Sequence, residues 1–228
     1  EDASGRERFS LGVGQALYFE DRHIDMDGNP DKWRTAPSVD RDDRYYRATR
    51  NRSPIVTHLD WAINQRWSAR YEWLYDDHRS RTERTSFGVG YRDPRGHALN
   101  LGYRWQLQGF DPSGEEEDRL GYDREEYELS FAYKVNPRID LIGRFLYDHT
   151  NSRSLDQMAG VQWNDCCYGL QLVWREWVED NDTANTIDDD YTDRGLFLRF
   201  VFKGLGGVGG DAGDYFERAV PGYRATAF

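Results

Sequence analysis

The sequence predicts an all-β fold, a piece of an antiparallel transmembrane β-barrel, and three observations predict it. First, ten stretches alternate apolar and polar residues at a period of two: Trp67, Ala69, Tyr71, Trp73 and Tyr75 interleave with Ser68, Arg70, Glu72, Leu74 and Asp76. Leu99, Leu101, Tyr103, Trp105 and Leu107 do the same with Asn100, Gly102, Arg104, Gln106 and Gln108. Such strands have one greasy face and one wet face. Second, the greasy face is rich in Trp and Tyr, which suit a membrane boundary, while the wet face carries charges that could not stay unpaired in a dry core. Third, the connections alternate between tight turns and longer charged segments, the asymmetry of an outer-membrane barrel with short periplasmic turns and long extracellular loops.

Taken in order, strands are expected at Phe9–Phe19, Ile55–Ile63, Trp67–Tyr75, Ser86–Tyr91, Leu99–Leu107, Tyr127–Val135, Ile139–Tyr147, Leu155–Trp163, Cys167–Trp177 and Gly195–Lys203. Most approach the roughly 9–11 residues that cross a bilayer at a tilt. Asn64-Gln65-Arg66, Asp93-Pro94-Arg95-Gly96, Asn136-Pro137-Arg138 and Asn164-Asp165 are built from bend-forming residues and read as the tight turns. Glu20–Pro54, Asp76–Thr85, Gln108–Glu126, Asp148–Ser154 and Val178–Arg194 read as the longer loops. If the first strand runs outward, the tenth runs inward. The barrel strands then occupy residues 1–204, and a tail, 205–228, lies on the periplasmic side or in the lumen.

The totals agree once the architecture is considered. The 228 residues are 38% hydrophobic and 31% charged with a net charge of −11, a polarity typical of a soluble protein. A water-lined barrel reaches the same average, because every second position is polar and no run of about 20 apolar residues is needed. The aromatic content of 15% is high for so polar a chain, and alternation collects those rings on one surface. A soluble antiparallel barrel or sandwich is the competing architecture. No basic stripe suggests nucleic-acid binding. No export signal precedes Glu1, so the chain is expected to begin inside a longer protein, as part of a barrel larger than ten strands.

Adjacent cysteines, Cys166 and Cys167, open a strand just after a tight turn. Neighbouring cysteines bridge each other only with strain, so exported thiols imply partners elsewhere; two free, buried thiols are the other reading. Metal binding would need further ligands that the sequence does not offer, and neither a metal nor any cofactor is expected. The last strand, Gly195, Leu196, Phe197, Leu198, Arg199, Phe200, Val201 and Phe202, follows Asp193-Arg194 and has a spaced apolar pattern that resembles the signal read by the barrel-insertion machinery, an ordinary edge strand being the other reading; a tail of about 25 residues follows it. Gly204-Leu205-Gly206-Gly207-Val208-Gly209 matches a dinucleotide fingerprint, but no amphipathic helix or βαβ unit is expected around it, so it reads as a flexible turn at the barrel base. Glu115-Glu116-Glu117-Asp118 and Asp188-Asp189-Asp190 read as solvated loop charges. The histidines, His23, His58, His78, His97 and His149, show no catalytic pairing with Ser86, Ser130, Ser152 or Ser154, and no catalytic residue is expected.

Met158-Ala159-Gly160-Val161-Gln162-Trp163-Asn164-Asp165-Cys166-Cys167-Tyr168 resembles the signature near the C-terminus of the lipopolysaccharide-assembly outer-membrane family, LptD. Arg8–Phe19, Tyr147-Asp148-His149-Thr150-Asn151 and Phe202-Lys203-Gly204-Leu205 extend the resemblance over nearly the whole chain. The resemblance implies the last ten strands of a barrel of about 26, plugged by an LptE-like lipoprotein and preceded by an N-terminal periplasmic domain that joins the periplasmic Lpt bridge. It further implies that Cys166 and Cys167 form disulfides with cysteines of that absent domain. Strand Gly195–Lys203 would border a seam that parts sideways to release lipopolysaccharide into the outer leaflet. The polar residues Ser68, Arg70, Glu72, Asn100, Arg104 and Arg144 would face the lumen and meet either cargo or plug. A passive porin-like channel is the alternative function, and a barrel lipase a third.

Overall fold

The alternating segments hydrogen-bond in chain order into one antiparallel sheet of eleven strands. The computed structural model describes residues 7–19, 51–78, 80–107, 123–179, 191–202, 206–208 and 212–223. The strands are β1 (Phe9–Gly14), β2 (Ile55–Ala62), β3 (Trp67–Asp76), β4 (Arg81–Arg92), β5 (Ala98–Leu107) and β6 (Asp123–Asn136). They continue with β7 (Ile139–Asp148), β8 (Arg153–Asn164), β9 (Tyr168–Glu179), β10 (Tyr191–Phe202) and β11 (Gly206–Val208), followed by one helix, α1 (Ala212–Ala219). Each strand pairs with its sequence neighbours, which leaves β1 at one edge and β10 with β11 at the other.

Register keeps the two faces apart. Leu11 opposes Leu59, Leu59 opposes Tyr71, Tyr71 opposes Phe87, Phe87 opposes Tyr103 and Tyr103 opposes Tyr127, so the apolar residues of β1 to β6 form continuous rows on one face. Among the described residues no other element covers that face, and large side chains stand bare on it: Leu101 is 53% exposed and Leu198 63%. An apolar surface of this extent requires an apolar environment. Tryptophan and tyrosine rings pair near both ends of the strands. Trp67 packs on Tyr91 at 4.9 Å near one end of the strands, while Trp73 packs on Tyr75 at 5.1 Å near the other. Six residues separate Trp67 from Trp73, about 20 Å along a strand and about 15 Å in height at the usual strand tilt, which falls within a membrane band.

The tight turns are closed by short acceptor side chains. Asn64 Oδ1 accepts from the amides of Arg66 and Trp67 at 2.8 and 2.9 Å, and Asn136 Oδ1 accepts from those of Arg138 and Ile139 at 2.8 and 3.0 Å. Asp93 Oδ1 does the same for Arg95 and His97, with Gly96 at φ 90°. These Asx arrangements fix where the chain reverses and therefore the register of the strands on either side.

Several boundaries differ from expectation. β4, β6, β9 and β10 begin or end in polar residues past the apolar band, such as Arg81–Arg84 and Asp123–Glu126, where neither face needs to be greasy and alternation disappears. Two of the expected long loops are therefore short: β3 passes to β4 through residues 77–80 and β7 to β8 through 149–152, with Ser80 and Ser152 at φ 50° and 51°. β1 ends at Gly14, after which only a bridge from Leu17 to Arg52 continues the pairing. β9 starts at Tyr168, not Cys167, because the amide of Asp165 donates to the carbonyl of Tyr168 at 2.9 Å and holds both cysteines in the turn. The glycine-rich segment is not a plain turn: Gly206–Val208 forms β11, and a helix does follow it. β11 runs antiparallel to β10, so the surroundings remain unlike a dinucleotide fold.

Candidate functional site

The polar face, the edge strand and the cysteine turn are the parts able to do chemistry or recognition. On the polar face the charges are laid out as a ladder across β5 to β9. Arg104 meets Glu126 at 3.2 Å, and Arg124 meets Glu126 at 2.8 Å and Asp148 at 3.8 Å. Arg144 reaches Glu128 and Asp156, both at 2.9 Å, and Arg175 meets the other oxygen of Asp156 at 2.8 Å. The cross-strand register sets this pattern, since residues of one face in neighbouring strands sit side by side. Alternating signs let a charged surface line water without net repulsion.

Each expected lumen-facing residue lies on this polar face. Ser68, Arg70 and Glu72 alternate with the outward rings of β3, and Arg70 Nε donates to Asp60 Oδ1 at 2.7 Å. Asn100 Nδ2 donates to Ser130 Oγ at 3.2 Å, while Arg104 and Arg144 belong to the ladder. Beside them, Ser68, Gly88, Gly90, Asn100 and Gly102 floor a shallow hollow walled by Arg70, Glu128 and Pro221.

At the turn end the same face changes character, a feature that the alternation did not announce. Ala98, Ala132, Ile142, Met158 and Val173, one from each of β5 to β9, form an apolar seat. Phe216, Ala219, Val220 and Tyr223 of α1 and the residues after it close over that seat and are buried. Their spacing of three, four and seven is one face of a helix. Gly160 makes room for the Phe216 ring, which would lie 2.7 Å from a Cβ added there. Tyr223 Oη donates to Asp140 Oδ2 at 2.9 Å and lies 3.1 Å from Gln162 Oε1. Burial, and then the negative charge of Asp140, push the Tyr223 phenol well above its ordinary range. Asn100 Nδ2 also donates to the carbonyl of Pro221 at 3.0 Å, and Arg92 covers Gly222, whose φ of 88° suits glycine.

The edge strand β10 pairs with β9 along its whole length, Tyr191 with Glu179 through Phe202 with Tyr168. On its other side, β11 pairs only Phe200, Val201 and Phe202, with Val208, Gly207 and Gly206. Gly195, Phe197, Arg199 and Val201 fall on the polar face, and Leu196, Leu198, Phe200 and Phe202 on the apolar one, where Phe200 stacks on Tyr168 at 5.9 Å.

Cys166 and Cys167 are exposed, free and 3.0 Å apart at Sγ in the β8–β9 turn. Exposure makes both reachable by another chain segment. The hydrogen bond shared with Cys167, and the charge that thiol would carry, push the Cys166 thiol above its ordinary range. Three of the described histidines have side-chain partners: His97 Nδ1 accepts from the Lys134 amide at 3.1 Å, His78 Nε2 accepts from Arg52 at 2.8 Å, and His149 meets Tyr127 edge-on. Among the described residues no group of three or more His, Cys, Asp and Glu could hold a metal ion. His23 and both acidic runs lie outside the described residues.

Comparison with known proteins gives this geometry a context. A family model described as LPS transport system D, LptD, matches residues 1–139. The chain is 65% identical, over all of its length, to the LPS-assembly protein LptD of Chromohalobacter salexigens, of which it covers 28%. Over 98% of its length it is 30% identical to the LPS-assembly protein LptD of Pseudomonas aeruginosa (strain UCBPP-PA14) and 28% identical to that of Ectopseudomonas mendocina, covering 25% of each. It thus spans about a quarter of the length of the curated relatives it matches. A match over more than half of its residues, carried on a sheet with one membrane-suited face and one polar face, makes the chain a member of the LptD family.

Proposed function

We propose that this chain is the C-terminal wall of an outer-membrane barrel that carries lipopolysaccharide to the outer leaflet. The observation that carries the reading is the division of one sheet into a bare apolar face and a charged face, ending in an edge strand that, among the described residues, is paired on its outer side only at Phe200–Phe202. Lipopolysaccharide has a large polar head and greasy chains. A hydrated lumen lined by Ser68, Arg70, Glu72, Asn100, Arg104 and Arg144 suits the head, and a seam beside β10 lets the acyl chains stay in lipid. No bond is made or broken in this task. Strands earlier in the parent protein complete the barrel, an LptE-like lipoprotein plugs it, and an N-terminal domain joins the periplasmic Lpt bridge. Cys166 and Cys167, reachable at a turn, lock that domain beneath the barrel by disulfides.

Disulfide mapping by mass spectrometry, without reduction, on the parent protein from outer membranes tests the proposal. Linkage of the Cys166-Cys167 peptide to cysteines far upstream, with a lipoprotein co-purifying in equal amount, is the expected result. Free thiols and no bound lipoprotein would favour a passive porin-like channel instead.

A further inference from the structure

We infer that the segment after β10 is a strap that ties the turn end of the edge strand to the polar face, so that the edge parts only at its loop end. Two attachments carry this. β11 occupies the outer side of Phe200–Phe202 through backbone pairing, and among the described residues no strand pairs with Tyr191–Leu198 on that side. Four residues beyond β11, α1 begins and seats Phe216, Val220 and Tyr223 on β5 to β9. The hydrogen bond from Asn100 to the Pro221 carbonyl and the Arg92 guanidinium over Gly222 extend that anchorage to β4 and β5. A strand arriving from elsewhere can therefore add to β10 over Tyr191–Leu198 without displacing β11. To reach Phe200–Phe202 it must first displace β11, whose ends are fixed by β10 on one side and by the seated helix on the other. With the turn end held, sideways movement of β10 is a pivot about Phe200, opening toward the loops. That β10 borders a seam rests on the function proposed above, but the strap stands or falls by itself.

Hydrogen exchange read by mass spectrometry, on the complete protein with its partners in lipid nanodiscs, tests the strap. Neighbouring strand residues direct their amides to opposite sides, so the double substitution Gly206→Pro/Gly207→Pro removes at least one β11 amide that faces β10 in either phase of the pairing. Peptides covering 200–202 are expected to exchange about tenfold faster or more in this variant, and in one lacking 206–228, while peptides covering 192–198 are unchanged. Unchanged exchange at 200–202 in the double variant overturns the proposal, and the double variant decides alone if the deleted chain does not accumulate. The disulfide and lipoprotein readouts of the parent function are independent of this one, so either idea can fail while the other survives.

Discussion

Replacing Tyr223 by phenylalanine removes an oxygen atom and nothing else from the seat of the tail. The ring keeps its edge-on contact with Phe216, at 6.5 Å between centroids, and its burial among the small residues of the sheet. What is lost is the bond donated to Asp140 Oδ2 at 2.9 Å, with Gln162 Oε1 3.1 Å away as the other acceptor. One proton serves one acceptor at a time, so the loss is a single hydrogen bond to a carboxylate, about 1.5–3 kcal/mol in a site where Asp140 is only 5% exposed. The tail should therefore stand open about 10- to 150-fold more often. Exchange of amides 216–223 in the complete protein, in lipid, reads that population directly. Phe216→Ala sets the scale for full release, since emptying an aromatic site costs about 3–5 kcal/mol. If Tyr223→Phe exchanges within about twofold of the parent while Phe216→Ala is released, the hydroxyl is not an anchor, and the assignment of Tyr223 to Asp140 is wrong.

Alkaline titration should release the same tail. The phenol of Tyr223 is raised in the folded state, by burial first and by Asp140 second, so its stabilisation is complete below the unfolded value of about 10 and drains away as pH climbs above it. After correction for intrinsic rates, tail exchange stays flat from neutral pH to about 9 and then rises, and Tyr223→Phe abolishes the rise. Gly160→Val places a side chain against the Phe216 ring, costs about 1–3 kcal/mol, and exposes Arg218 to trypsin while β8 and β9 remain paired. Asp156→Ala strips a carboxylate, 7% exposed, from Arg144 and Arg175, and should lower barrel stability to urea by about 2–3 kcal/mol, below the fully buried range because both arginines stay a quarter or more exposed. Arg70→Ala breaks a pair exposed at 69% and 46% and should cost under about 1 kcal/mol in the same assay.

The central parts of β1 to β10 were legible because a membrane and a lumen impose opposite demands on alternate residues. Trp67 to Tyr75 and Leu99 to Leu107 could hardly be read otherwise. Beyond the apolar band that demand stops, which is why Arg81–Arg84 and Asp123–Glu126 carry no visible strand signal although they extend β4 and β6. The tail was hidden for a different reason. Its glycine-rich start suggests a bend, and among the described residues its buried face is the short set Phe216, Ala219, Val220 and Tyr223. The receiving surface did leave a trace: Ala132 between Phe131 and Tyr133, Ile142 after Leu141, and Val173 between Leu172 and Trp174 put apolar residues where alternation calls for polar ones. Three such lapses at the same height, in strands that later lie side by side, are the sign of something docked on the wet side.

That docked tail also bears on how the protein is made. Its seat is assembled from five strands, β5 to β9, and a slip of one residue in any of them would turn its contribution to the opposite side of the sheet. The residues that read the seat are synthesised after all of those strands. The tail can therefore come to rest only on a wall whose five strands are already in register.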